Sequence, residues 1–280
     1  MAIDNAEISL TKAIALYPND TYYRSLSKLY ISKFNALVAQ DSISDEALKP
    51  ELQQAVANAE TTGRQAIKID SKNYLNWLSL AEVYEAFVPV GINGAYENSA
   101  SSFAQAIELS PKNPSIYISM ANLELHKKNE TKAKEYVDKS LSIKPNYGVG
   151  YILLAKYQEN IGNFASAQSY YRLAVETDPS SSDGYFRLGY FLYSRGNFAD
   201  AVGPLERAVI LDPSNMQYRY YLALGYSKSG KTQQAISQLE YLQQLNPGSK
   251  EIQAALSAVK SGTSTEPAPA PLKEEPPKKK

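Results

Sequence analysis

The residues able to do acid–base, nucleophilic or metal chemistry are few and poorly grouped. His126 is the single histidine, and the chain has no cysteine. A histidine-based catalytic or zinc centre needs partners that are missing here, and thiolate ligands, thiol nucleophiles and disulfides are excluded outright. Serine is frequent, but one histidine gives little basis for a serine triad. The adjacent carboxylates Glu274 and Glu275 lie in a proline- and lysine-rich end whose composition cannot build a core to hold them in place. The stretch Phe87–Ala95 contains Gly91 and Gly94. It lacks the Lys-Ser/Thr ending of a phosphate-binding loop and follows no strand. It reads as a packed structural loop, with a partner-contact loop as the alternative. Asn-x-Thr sequons at Asn19 and Asn129 matter only in a glycosylating compartment. The expectation is a non-enzymatic chain with no cofactor and no metal site.

Composition narrows the partners. The 29 cationic side chains balance 29 acidic ones, whereas nucleic-acid binders usually carry a basic surface and a high pI. Hydrophobic residues make up 44% of the chain, so it can bury a core. No apolar run reaches the roughly 18 residues that a membrane helix needs. Residues 1–16 lack the basic start and apolar centre of a signal peptide. Read as it stands, the chain is soluble, binds no nucleic acid and spans no membrane.

Any binding surface must be set by the elements, and these repeat. Pro111, Pro145, Pro179, Pro213 and Pro247 are each 34 residues apart. Between them, Leu80, Met120, Leu154, Leu188 and Leu222 are each followed by a small residue: Ala81, Ala121, Ala155, Gly189 and Ala223. The second half of each period repeats the device at Ala133, Ala167, Ala201 and Ala235. Phe103, Val137, Tyr171, Leu205 and Leu239 are large enough to fill the gap between two closely approaching helices. Gly162, Gly196 and Gly230 stand where the first helix must stop, and glycine accepts the left-handed cap. The prolines end the second helix. Helical hairpins of this kind cannot bury their apolar faces alone, so one continuous core is expected along the array.

The clearest copy, residues 148–179, has Tyr151, Leu154, Ala155, Gly162, Ala167, Tyr171, Ala174 and Pro179. This pattern at this period resembles the tetratricopeptide repeat family. The resemblance implies an all-α fold, an α-solenoid of stacked helix-turn-helix hairpins forming a right-handed superhelix over residues 1–260. Residues 1–18 read as the second helix of a half-repeat. Either its first helix lies upstream, leaving an apolar face able to self-associate, or it is a short cap. Repeats follow at 20–71, 74–111, 114–145, 148–179, 182–213 and 216–247, with a capping helix at 249–260. Residues 20–71 carry a long insertion with the acidic turn Asp41–Glu46, and both flanking helices are expected to be long. Lys128 stands in a glycine position, where Asn129 is expected to relieve the cap. Pro204 is expected to kink its helix. Residues 261–280 read as a disordered tail.

The family resemblance also implies that the first helices line a concave groove. The positions one after the leading aromatic are Leu78, Ile118, Ile152, Phe186 and Tyr220, and Asn122, Lys156 and Tyr190 follow four residues later. With Tyr193, these form the candidate partner-binding groove, apolar and aromatic toward its C-terminal end. The alternative is that the ladder packs between helices. One subgroup of the family grips a C-terminal carboxylate, but only Asn122 and Lys156 fit that pattern, so a segment held by side-chain burial is the better expectation. The phrases Asn19-Asp-Thr-Tyr-Tyr-Arg24 and Val88-Pro-Val-Gly-Ile-Asn-Gly-Ala-Tyr96 are similar to the extracytoplasmic repeat domain of bacterial O-antigen ligase-like membrane proteins. That resemblance implies an accessory region recruiting a glycan or a partner. The leading expectation is an interaction scaffold for an unidentified protein or peptide.

Overall fold

The computed structural model describes residues 2–39 and 49–262. The acidic turn and nearly all of the tail lie outside them. Every element among the described residues is a helix, and the fold is an all-α solenoid of helical hairpins. The chain divides into two compact units, residues 1–145 and 146–280.

The first unit holds α1 (Ala2–Leu16), α2 (Asp20–Val38), α3 (Lys49–Ile69), α4 (Tyr74–Phe87), α5 (Ala95–Leu109), α6 (Pro114–His126) and α7 (Glu130–Ile143). The second holds α8 (Val149–Asn160), α9 (Phe164–Thr177), α10 (Ser182–Ser194), α11 (Phe198–Leu211), α12 (Met216–Lys228), α13 (Thr232–Leu245) and α14 (Lys250–Ser261). At 19 and 21 residues, α2 and α3 are the long pair that the insertion requires.

Asparagine and serine caps start most of these helices. Asn19, Asn73, Asn113, Asn163 and Asn215 each accept a hydrogen bond from a backbone N–H of the first turn. Ser181 and Ser249 do the same. Such a cap satisfies a donor that the helix itself leaves unpaired, and is worth about 1 kcal/mol. Gly162, Gly196 and Gly230 end the first helices at φ 80°, 79° and 80°. Lys128 takes the same left-handed turn at φ 59°, strained for a side chain with a Cβ. Asn129 does not relieve it. It sits at φ −92° and caps α7 instead.

The small residues let the helices meet. Ala106, Ala133, Ala167, Ala201, Ala208 and Ala235 are fully buried, as are Phe103, Leu205 and Leu239. The core of the first unit is not one continuous cluster. In the first unit one cluster joins Leu26, Tyr30, Phe34, Leu80 and Phe87, and another joins Ala81, Phe103, Ile116 and Leu123. Helix α4 serves both, one on each face. The Phe87–Ala95 insertion belongs to the first cluster: Phe87 packs edge-on to Phe34 at 4.8 Å, and Val88, Val90 and Ile92 lie against it. The second unit has its own cluster from Ile152 to Val259, closed by Ile252, Leu256 and Val259 of α14. Helix α11 runs unbroken through Pro204. Gly203 precedes that proline, and having no Cβ it escapes the usual clash with the ring.

Tyrosine–carboxylate bonds tie neighbouring helices. Tyr30 donates to Glu7 at 2.8 Å, Tyr171 to Glu159 at 2.9 Å and Tyr226 to Glu206 at 2.6 Å. Tyr84 donates to Glu60, which also pairs with Arg64. Glu124 stands in an aromatic repeat position and is 1% exposed. It survives there because Tyr96 and Asn129 donate to it and Lys132 pairs with it at 2.7 Å.

Candidate functional site

The expected groove residues fall into both units and have different surroundings. In the first unit Leu78 packs beside the second core cluster. Ile118 is half-buried, and Asn122 donates to Glu85 at 2.7 Å. In the second unit Ile152, Tyr193 and Tyr220 are 8%, 5% and 6% exposed and belong to the core. Two members of the ladder, Ile152 and Tyr220, and the added Tyr193 therefore pack between helices. The reason is local bulk: Tyr220 and Tyr193 both close against the ring of Tyr221, at 5.9 and 6.1 Å. Burial pushes both hydroxyls above the usual tyrosine pKa, and Glu251 of α14 adds to this at Tyr220.

Phe186, Tyr190 and Lys156 behave differently. They line a cavity of about 320 Å³ together with Glu159, Tyr171, Arg187, Gln217 and Tyr221. Helices α8, α10 and α12, the first helices of three successive repeats, supply all of these but Tyr171. Phe186 stacks on Tyr218 at 4.6 Å and on Tyr190 at 5.9 Å, and Tyr190 meets Tyr221 edge-on at 4.9 Å. Tyr190 remains 40% exposed. An aromatic wall with exposed faces is therefore fixed in place before any ligand arrives.

Charge in this cavity is unevenly satisfied. Arg187 Nε pairs with Asp183 at 2.7 Å, and Glu159 accepts from Tyr171. Lys156 has no hydrogen bond or ion pair among the described residues, and its pKa is depressed by burial and then by the like charge of Arg187. The sequence marked Lys156, Phe186 and Tyr190. It missed Arg187, Gln217 and Tyr221, which lie off the 34-residue ladder.

In two other cavities one cation of the wall is paired. One of about 700 Å³ lies against α1, α2 and α3, and there Lys33 is bound to Glu7 and Asp4. The other, about 580 Å³, has Trp77 on its wall, and its Arg64 is held by Glu60 and Tyr84. Among the described residues no group of acidic, histidine or cysteine side chains can hold a metal ion, and no helix is long and apolar enough to cross a membrane.

The stretches Asn19–Arg24 and Val88–Tyr96 have structural roles. Asn19 caps α2, and Asp20 pairs with Arg24 at 2.7 Å and accepts from Asn73 at 2.8 Å. Arg24 also donates to the buried Asn76. Val88 to Tyr96 packs as described above.

Residues 152–216 match a family model described as tetratricopeptide repeat, and residues 114–147 match a second of the same description. Among solved structures, the chain is similar to yeast Tom70, with TM-score 0.62 and 20% identity over 91% of this chain and 49% of that one. It thus spans about half the length of the Tom70 chain. It is also similar to PilW, described as a widely conserved type IV pilus biogenesis factor, with TM-score 0.50 and 20% identity over 82% of this chain and 98% of that one. At such identity both likenesses show the fold alone. No curated protein matches the chain in sequence. The likeness to O-antigen ligase-like proteins gains no support from these comparisons. Residues 114–147 and 152–216 are thus tetratricopeptide repeats, in step with the 34-residue period that runs from Pro111 to Pro247.

Proposed function

We propose that the chain is a non-catalytic scaffold that holds a segment of a partner protein on the first-helix face of its second unit. The observation that carries this is the cavity walled by Phe186, Tyr190 and Tyr221, which keeps aromatic surface exposed beside an unpaired lysine. Exposed, preordered aromatic rings with a polar rim are what interaction hot spots are made of. Tyr193 and Tyr220 support the wall from behind and do not touch the partner. A photoreactive benzoylphenylalanine at position 190 is expected to crosslink a protein in cells of the source organism. Phe186→Ala in the same chain should lower that yield at least fivefold while circular dichroism stays unchanged. An undiminished yield in the folded variant removes this face as the site.

Self-association through α1 is part of the same reading. Ile8, Leu16 and Tyr17 are exposed apolar residues on or just after this helix, and such a patch commonly marks a contact surface. Light scattering is expected to show a dimer that Ile8→Glu converts to monomer. A wild-type monomer at high concentration ends the idea.

A further inference from the structure

We infer that the segment held in the second unit carries an acidic side chain directly beside a large apolar one, with the carboxylate placed between Lys156 and Arg187. The inference rests on the groove reading above and adds the chemistry of its occupant.

Size comes first. At about 320 Å³ the cavity is at the small end of ligand pockets, suited to a pair of side chains rather than a bulky cofactor. Its wall sorts into two halves. Phe186, Tyr190 and Tyr221 offer ring surface. Lys156 and Arg187 offer cations, one from α8 and one from α10.

The charge balance then selects a sign. Glu159 already accepts the Tyr171 hydroxyl. Asp183 engages only Nε of Arg187, which leaves the guanidinium's terminal N–H groups for a second partner. Lys156 is an exposed cation without a hydrogen bond or ion pair among the described residues, near the like charge of Arg187 and the opposite charges of Asp183 and Glu159. A carboxylate entering between Lys156 and Arg187 would gain two cationic partners, whereas a cation would be repelled by both and a neutral amide would gain neither ion pair. The neighbouring ring surface asks for an apolar residue adjacent to the acid. Because the acid is a side chain, a free C-terminus is not required.

The test uses the full chain, labelled with ¹⁵N, and four peptides acetylated at the N-terminus and amidated at the C-terminus. Each is an eight-residue Gly/Ser sequence with one central pair: Glu-Phe, Gln-Phe, Glu-Ala or Lys-Phe. Amide shifts at Lys156, Arg187 and Tyr190 report binding. Glu-Phe is expected to bind at least threefold to fivefold better than Gln-Phe, the range of a partly exposed ion pair, and Lys-Phe weakest. Lys156→Met should bring the Glu/Gln ratio to about one while Gln-Phe still binds. Equal binding of Glu-Phe and Gln-Phe to the wild type overturns the inference. So does a preference that survives in Lys156→Met. In both of those cases sensitivity to Phe186→Ala shows that the groove reading itself stands. If no peptide shifts these amides but an oligogalacturonate does, both readings fall and an acidic glycan is the occupant.

Discussion

Gly189→Ala should destabilise the second unit by about 2–3 kcal/mol, although glycine to alanine inside a helix ordinarily gains about 1 kcal/mol. The sign is reversed by one contact. A Cβ at position 189 would sit 2.6 Å from Leu205 Cγ, 2.9 Å from its Cδ2 and 3.1 Å from its backbone N. The side chain cannot swing aside, because Leu205 is fully buried and also approaches Gly225, where an added Cβ would meet it at 3.3 Å. The backbone contact means that α11 itself must move away from α10. The corresponding positions Ala81, Ala121, Ala155 and Ala223 are fully buried alanines, so the closest approach belongs to this hairpin. Urea unfolding of Gly189→Ala, Leu205→Ala and the double variant makes the test. Leu205→Ala alone should cost about 2–5 kcal/mol through the cavity it leaves. In the double variant the contacts with Cγ and Cδ2 are gone and only the 3.1 Å approach to the backbone N is left, so adding the alanine at 189 should cost far less than it does beside Leu205. Two strictly additive losses would show that Leu205 is not what the glycine makes room for.

That crossing was partly legible beforehand, since the period marks where a small residue must stand. The caps at Gly162, Gly196 and Gly230 were legible for the same reason: local backbone geometry selects one residue type at one place. Two kinds of feature were not. The tyrosine–carboxylate ties join residues at unequal separations, 23 for Tyr30 and Glu7, 12 for Tyr171 and Glu159, 20 for Tyr226 and Glu206. Such pairs obey no period, because the bond depends on how far two long side chains reach across a crossing. The groove was legible only in part. Spacing places Phe186 and Tyr220 on the same ladder, yet Tyr220 is buried and Phe186 is half-buried at the cavity. Tyr221 touches both rungs, at 5.9 Å from Tyr220 and 5.7 Å from Phe186, yet only Phe186 lines the cavity with it. Which ladder rung stays accessible depends on the neighbour's bulk, and that neighbour lies off the ladder.

The largest effect of pH on this fold should come from Glu85. Its carboxyl is mostly buried on α4 and takes a hydrogen bond from Asn122 of α6. Burial raises its pKa to about 7, Asn122 opposes the rise, and the charge of Glu82 on the same helix adds to it. Glu82 is itself paired with Lys28 of α2 at 3.3 Å, so that cation is already engaged. The folded chain therefore holds a proton on Glu85 that the unfolded chain releases near the ordinary value of 4.5. Below about pH 4.5 the group is protonated in both states and contributes no pH dependence. Between about 4.5 and 7 unfolding releases a proton, so stability falls as pH rises. Above about pH 7 the loss is complete, at about 3 kcal/mol for a shift of this size. Glu85→Gln keeps an oxygen for Asn122 and removes the charge. It should leave stability near pH 4.5 almost unchanged and raise it by about 2–3 kcal/mol at pH 8. Thermal melts of the two proteins across that range isolate the group, because every other carboxylate is common to both. A difference that does not change with pH would mean that Glu85 is solvated in the folded chain. An unstable variant at pH 8 would mean that its charge is held by a partner. With the expected outcome, the first unit carries a group that acidic conditions favour, bonded across the hairpins to Asn122 of α6.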